Sequence, residues 1–192
     1  TNDSGKPIIW LDGLDIPLVQ SLQQLLFEPH PEYAQTIEKT SDERDVLIGD
    51  PRPANEFFHY KWSDTYRTLN ALVQAASPDH FDGYLLEYQN PKTDGPTMPT
   101  IQCALSLLRP GQETEAHRHT STVIYHSFRD RGSSFVGDER FDWEAGDSFV
   151  VPLWTPHRHS NRAASEEAIL FSMSDAPVLK SLGLYREEIV GQ

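Results

Sequence analysis

The chain has 192 residues, of which 38% are hydrophobic, and a formal net charge of −13 at pH 7. That length suits one domain and one core, with room for an arm. So acidic a surface argues against nucleic acid and anionic membranes as partners, since both select basic patches.

No run of about 18 apolar residues occurs, so no transmembrane helix is expected. The single cysteine, Cys103, lies in an apolar strand-like run, where it reads as a core residue, and it excludes a disulfide framework. A soluble, reducing, cytoplasmic setting follows as the expectation. The same negative charge repels anionic small molecules at long range, so such a substrate needs local positive charge.

In chain order, Ile8-Ile9-Trp10-Leu11 reads as a short buried strand. Asp15-Ile16-Pro17 is a helix entry, with Asp15 as N-cap candidate and Pro17 tolerated in the first turn. Leu18, Leu22, Leu25 and Leu26 then share one helical face, and Pro29 and Pro31 end the helix. The acidic stretch from Glu38 to Asn55, closed by Gly49, Pro51 and Pro53, reads as a surface loop. The aromatic patch Phe57 to Trp62 is expected to be a packed edge strand. Ser63 is the N-cap candidate of a second helix with Leu69, Leu72, Val73 and Ala76 on its apolar face, and Ser77-Pro78 stops it.

Tyr84 to Tyr88 is a strand candidate, followed by a Pro/Gly loop from Asn90 to Pro99. From Ile101 the pattern changes to short β-type runs between turn signals: 102–108, 122–128, 133–136, 141–143, 148–152 and 168–173. Evenly spaced short strands indicate a sandwich or barrel. The expected organisation is an arm over 1–100, a barrel over 101–175 and a C-terminal segment over 176–192.

The chemistry concentrates between Gly111 and Asn161. His117 and His119 are two apart, which on a strand puts both imidazoles on one face. His157 arrives about forty residues later from a Pro-bounded turn. Three neutral nitrogens from two strands suit a borderline divalent ion with open positions. The alternative is surface histidines on strand ends. The pair, the third histidine and the framing glycines and proline together favour metal.

The chain also echoes itself. Asp15-x-Pro17-x-x-x-Ser21-Leu22 recurs as Asp175-x-Pro177-x-x-x-Ser181-Leu182, 160 residues later. The run Ile8-Ile9-Trp10 matches Ile169-Leu170-Phe171 with a one-residue shift. This suggests the tail of one repeat over 1–17 followed by a full unit, the second half of a duplicated protein.

These residues resemble the two cupin motifs. Gly111, His117, His119 and Gly132 match the first, and Gly146, Pro152, His157 and Asn161 the second. There are two departures: no Glu stands at Val123 or Ile124, where an acidic ligand is usual, and Trp154 replaces a motif glycine. More closely, Trp10 to Pro17, Met98 to Ile101, His117 to Ser121, Val151 to Trp154 and Leu182 to Glu187 resemble the C-terminal half of the gentisate 1,2-dioxygenase family. Salicylate and hydroxynaphthoate dioxygenases look alike at this level.

The resemblance implies an all-β fold, the cupin double-stranded β-helix or jelly-roll barrel, with an N-terminal helical arm. It implies Fe(II) held by His117, His119 and His157, and a small aromatic hydroxy-acid and O2 as reactants. The ring opens between the hydroxyl-bearing and carboxyl-bearing carbons, and gentisate gives maleylpyruvate. His159 matches a histidine near substrate and is the candidate catalytic residue, able to exchange a proton near neutral pH. Trp154 and Tyr125 are the substrate-binding candidates.

Tyr125 stands where family members carry an Arg that anchors the carboxylate in their first cupin. A phenol forms no bidentate ion pair. This half is therefore expected to be weak alone, or to be a structural half with a vestigial site. A metal-dependent isomerase or sugar-binding cupin is disfavoured by the missing acidic ligand. Cupin halves pair through edges and arms, so a homo-oligomer is expected.

Overall fold

The protein's three-dimensional form is a computed structural model that describes residues 5–23 and 59–191. The expected loop over 38–55 and the end of the first expected helix, with Leu25 and Leu26, lie outside those residues. Two units separate by their internal contacts, Thr1–Phe57 and Phe58–Gln192.

In the first unit, Ile16–Ser21 forms helix α1, with Asp15 at the N-cap position and Pro17 in the first turn. Asp15 makes no side-chain cap bond, and the turn is closed instead by Ser21 Oγ donating to the Pro17 carbonyl at 2.8 Å. The apolar run before it is neither strand nor buried. Ile9 is 95% and Trp10 76% exposed, which corrects the sequence expectation.

In the second unit the chain forms helix α2 (Trp62–Ala75), strands β1 (Tyr84–Glu87), β2 (Gln102–Leu108), β3 (His117–His119), β4 (Val123–Arg129), β5 (Gly132–Val136), β6 (Glu139–Trp143), β7 (Ser148–Val151), β8 (His157–Asn161) and β9 (Ala168–Ser174), helix α3 (Ala176–Ser181) and strand β10 (Glu187–Ile189). They build two five-stranded antiparallel sheets, ordered β1-β2-β9-β4-β7 and β10-β3-β8-β5-β6. The β-rich barrel expected from 101 onward is present. β10 was not expected as a strand.

Alternation along the strands sends one set of side chains between the sheets. Val123, Tyr125, Val136, Trp143, Val151, Ala168 and Leu170 form that core. A second cluster, Leu69, Tyr84, Leu105, Leu107 and Ile169, lies under α2. Leu69 is fully buried, and burying such a side chain is worth roughly 1.5–3 kcal/mol. This is why α2 and β1 belong to the barrel unit, although the sequence reading placed them in the arm.

α2 starts from Lys61 and has no side-chain cap, so Ser63 sits inside its first turn and does not precede it. The described part of the aromatic patch, His59 to Trp62, is not an edge strand either, and Phe57 and Phe58 lie outside the described residues. Tyr60 packs edge-on against Tyr88 at 4.8 Å, and Trp62, the first helical residue, lies against Tyr66 at 5.2 Å and Phe128 at 4.4 Å. Cys103 is half-buried, at the edge of the expected core. Among the described residues no helix is long and apolar enough to cross a membrane.

α3 repeats the design of α1. It too has six residues, an Asp at the N-cap position without a side-chain cap bond, and a serine hydroxyl closing its last turn, Ser181 to Val178 at 2.8 Å. Asp175 instead accepts from the Thr122 amide at 2.9 Å, tying α3 to the residue before β4.

Candidate metal centre

β3 and β8 lie side by side, and the one residue pair in register between them is His117 with His157. Alternation turns His117 and His119 to the interior and Arg118 to the outside. The same rule turns His157, His159 and Asn161 inward and leaves Arg158 outside. The two arginines are held there by acids: Arg118 pairs with Glu188, and Arg158 with Glu113 at 2.5 Å.

One ligand atom from each of His117, His119 and His157 lies within 4.8 Å of the other two. All three are at most 6% exposed. His119 Nδ1 is 2.9 Å from the Ser121 carbonyl, and His157 Nδ1 is 3.0 Å from the Thr155 carbonyl. A carbonyl only accepts, so both Nδ1 atoms carry hydrogen and both Nε2 atoms present lone pairs. His157 Nε2 and His117 Nδ1 are buried without a hydrogen-bond partner. Leaving such atoms unsatisfied costs roughly 1–3 kcal/mol each. A divalent cation meets that demand at His157 Nε2, and the donor set fits one.

Burial, reinforced by the neighbouring imidazoles, pushes His117 and His157 down to about 3. They are neutral at pH 7, the form that binds metal.

His159 sits apart from the triad's cavity. Its ring lies 4.7 Å from Tyr125 and 6.0 Å from Phe149, and it is 2% exposed. Its Nδ1 is 2.7 Å from Ser134 Oγ, which accepts from Trp143 Nε1 at 2.9 Å. Burial and then His157 bring it to about 3 as well. Trp154 stands away from the cavity too, with Arg118 stacked 4.6 Å above its ring and its amide on the His119 carbonyl at 2.7 Å. Its φ of 57° is left-handed, which explains why the motif carries glycine there.

The cavity in front of the triad measures about 830 Å³ and is lined by His117, His119, Tyr125, Phe81 and Tyr185 among others. Its charged wall is one-sided: Asp79, Asp82, Glu87, Asp94 and Glu187 against Lys180. Burial first, and then Asp79, Glu187 and Glu87, raise Asp82 to about 7. Sequence reading missed this acidic wall, because its residues are scattered over loops and strands that only the fold brings together.

Residues 104–174 match the Cupin domain family. The chain is 37% identical over 197 residues to a 5-aminosalicylate 1,2-dioxygenase of Comamonas sp, covering 97% of this chain and 52% of that protein. It is 33% identical to a gentisate 1,2 dioxygenase 1 of Aquipseudomonas alcaligenes, covering 97% and 55%. The chain belongs to the gentisate 1,2-dioxygenase family.

Within that family it aligns with the C-terminal half of longer relatives and spans about half their length. Among solved structures, a salicylate 1,2-dioxygenase variant from Pseudoaminobacter salicylatoxidans superposes with a TM-score of 0.78 at 31% identity, covering 100% of this chain and 57% of that one. A structure of the same enzyme in adducts with gentisate gives 0.72 at 29% identity, covering 93% and 52%. The dioxygenase family shares this cupin fold, and the three-histidine cluster of this chain is a metal-capable site within it.

Proposed function

We propose that this cupin is part of a non-haem iron(II) ring-cleaving dioxygenase of the gentisate type, and that His117, His119 and His157 hold the metal. The observation that carries this reading is the convergence of three buried imidazoles, two of them with Nδ1 fixed on backbone carbonyls. Iron(II), when bound, supplies a Lewis-acidic centre that joins an aromatic hydroxy-acid and dioxygen. The protein's part is to keep the imidazoles neutral, to fix their tautomers and to wall the site with Phe81, Tyr125 and Tyr185. A homo-oligomer belongs to the same reading.

A second reading has a specific observation behind it. Five carboxylates and one lysine line the cavity, and Tyr125 offers no positive charge for an aromatic carboxylate. On that reading this half supports the enzyme and turns over little alone. A lost charge-assisted bidentate contact is worth roughly 1.5–3 kcal/mol, one to two decades of affinity.

The test is oxygen uptake by the iron-loaded chain with saturating gentisate or salicylate, beside Tyr125→Arg. Robust turnover by the unmodified chain makes this cupin a catalyst. A gain only with arginine means the site lacks its anchor. No uptake in either favours the supporting role.

A further inference from the structure

Strand β10 brings a carboxylate to the triad that neither histidine motif contains. β10 pairs with β3, setting Glu187 opposite His119 and Ile189 opposite His117. Glu187 lines the cavity that His117 and His119 line, and its Oε1 lies 3.7 Å from His117 Nε2. Its other oxygen, Oε2, accepts from the Tyr185 hydroxyl at 3.2 Å, which leaves Oε1 for the imidazole side. Two donors each about 2.1 Å from one ion stand about 3.0–4.2 Å apart as the angle between them goes from about 90° to 180°. The Glu187 to His117 spacing falls in that range. Beside it, His157 is 1% exposed with Nε2 unpartnered, so a buried atom of the same cluster still lacks a bond.

We propose that Glu187 is a fourth, carboxylate ligand that closes this metal site from the C-terminal strand. The inference rests on the reading that the three histidines hold a divalent ion. Glu187 stands outside the 4.8 Å cluster of the three histidines, so it reaches the centre of the triad by a side-chain rotation from its place beside His117, where it is 40% exposed. The backbone under it is held independently: Arg118 grips Glu188, and the Val190 amide donates to the Ala116 carbonyl at 2.9 Å. The site then becomes three imidazoles and one carboxylate, with the acid supplied about seventy residues after His117 in place of just after His119. A bound carboxylate offsets one metal charge and takes a position that a chelating hydroxy-acid needs. Glu187 thus favours retention of the ion over capture of an anionic substrate.

The experiment is metal binding by the full chain, measured by chelator competition with Co(II) and with Zn(II), with the visible spectrum of the Co(II) form as a second readout. The proteins are wild type, Glu187→Gln, Tyr185→Phe and His119→Ala. Expected are loss of binding in His119→Ala, affinity at least about tenfold lower in Glu187→Gln with a changed Co(II) spectrum, and a smaller loss in Tyr185→Phe. The metal-free melting temperature of Glu187→Gln should match wild type, so the loss is not one of folding. Wild-type binding with Glu187→Gln equal in affinity and spectrum overturns the fourth ligand and leaves the histidine site standing. No binding by wild type overturns both.

Discussion

Lowering the pH should weaken the metal-free protein through its buried imidazoles, and the structure sets the size of the effect. His117, His157 and His159 are held near 3 by burial, against an ordinary 6.5. Their folded values are depressed, so the folded state refuses protons that the unfolded chain accepts. Stability is full above 6.5 and falls as pH drops below it. Between pH 6.5 and 5 each group costs about 1.5 kcal/mol, and the three together about 5 kcal/mol.

Asp82 runs the other way. Its value is raised from 3.8 to about 7 by burial and its acidic neighbours, so the folded state gains a proton as pH falls and recovers about 2 kcal/mol over the same window. The net loss is about 3 kcal/mol, a large share of an ordinary total of 5–15 kcal/mol. Urea unfolding at pH 6.5 and 5 reads it directly. His159→Phe should cut the loss by about 1.5 kcal/mol, and Asp82→Asn should enlarge it to about 5 kcal/mol. Wild-type stability that is flat or rising toward pH 5, or a slope untouched by His159→Phe, refutes the reasoning.

Other outcomes follow from packing. Ser134→Ala removes the hydroxyl shared by His159 and Trp143 and should cost about 1–3 kcal/mol, seen as a lower melting temperature. Asn161 bridges the carbonyls of Leu108 and Glu166 and the amide of Ala163 from a buried position. Asn161→Leu should therefore destabilise by about 3 kcal/mol or more in a urea titration, because three backbone groups lose their partner. Gly132→Ala would press a Cβ into the Trp143 ring and the Ser160 carbonyl. It should cost about 1–3 kcal/mol and shift the Trp143 fluorescence.

The strands from Gln102 onward were legible because alternation and turn residues mark them locally. The triad was legible because a two-residue spacing has one meaning on a strand. Three things were hidden, each for a physical reason. Ile8 to Leu11 is a short apolar run, which periodicity alone cannot assign, and it is exposed. β10, Glu-Glu-Ile, is exposed at every position and exists through its ladder with β3, so no burial pattern announces it. His159 shares a face with His157, but two strand residues span about 6.6 Å, enough to carry it from the metal cluster into the core beside Tyr125. Asn161, a motif residue without chemistry of its own, turns out to close three backbone bonds.

The thin junction between β3 and β8 has a consequence for chain topology. Only His117 and His157 are in register there, so the backbone ladder does little to hold that seam. An ion shared by these two residues closes a loop of about forty residues, as a covalent cross-link would. By loop-closure entropy such a link removes roughly 3–4 kcal/mol worth of freedom from the unfolded chain. With an ion bound, the histidine cluster would also be a reversible clasp, whose fastening and release would set how firmly one sheet of the barrel stays shut.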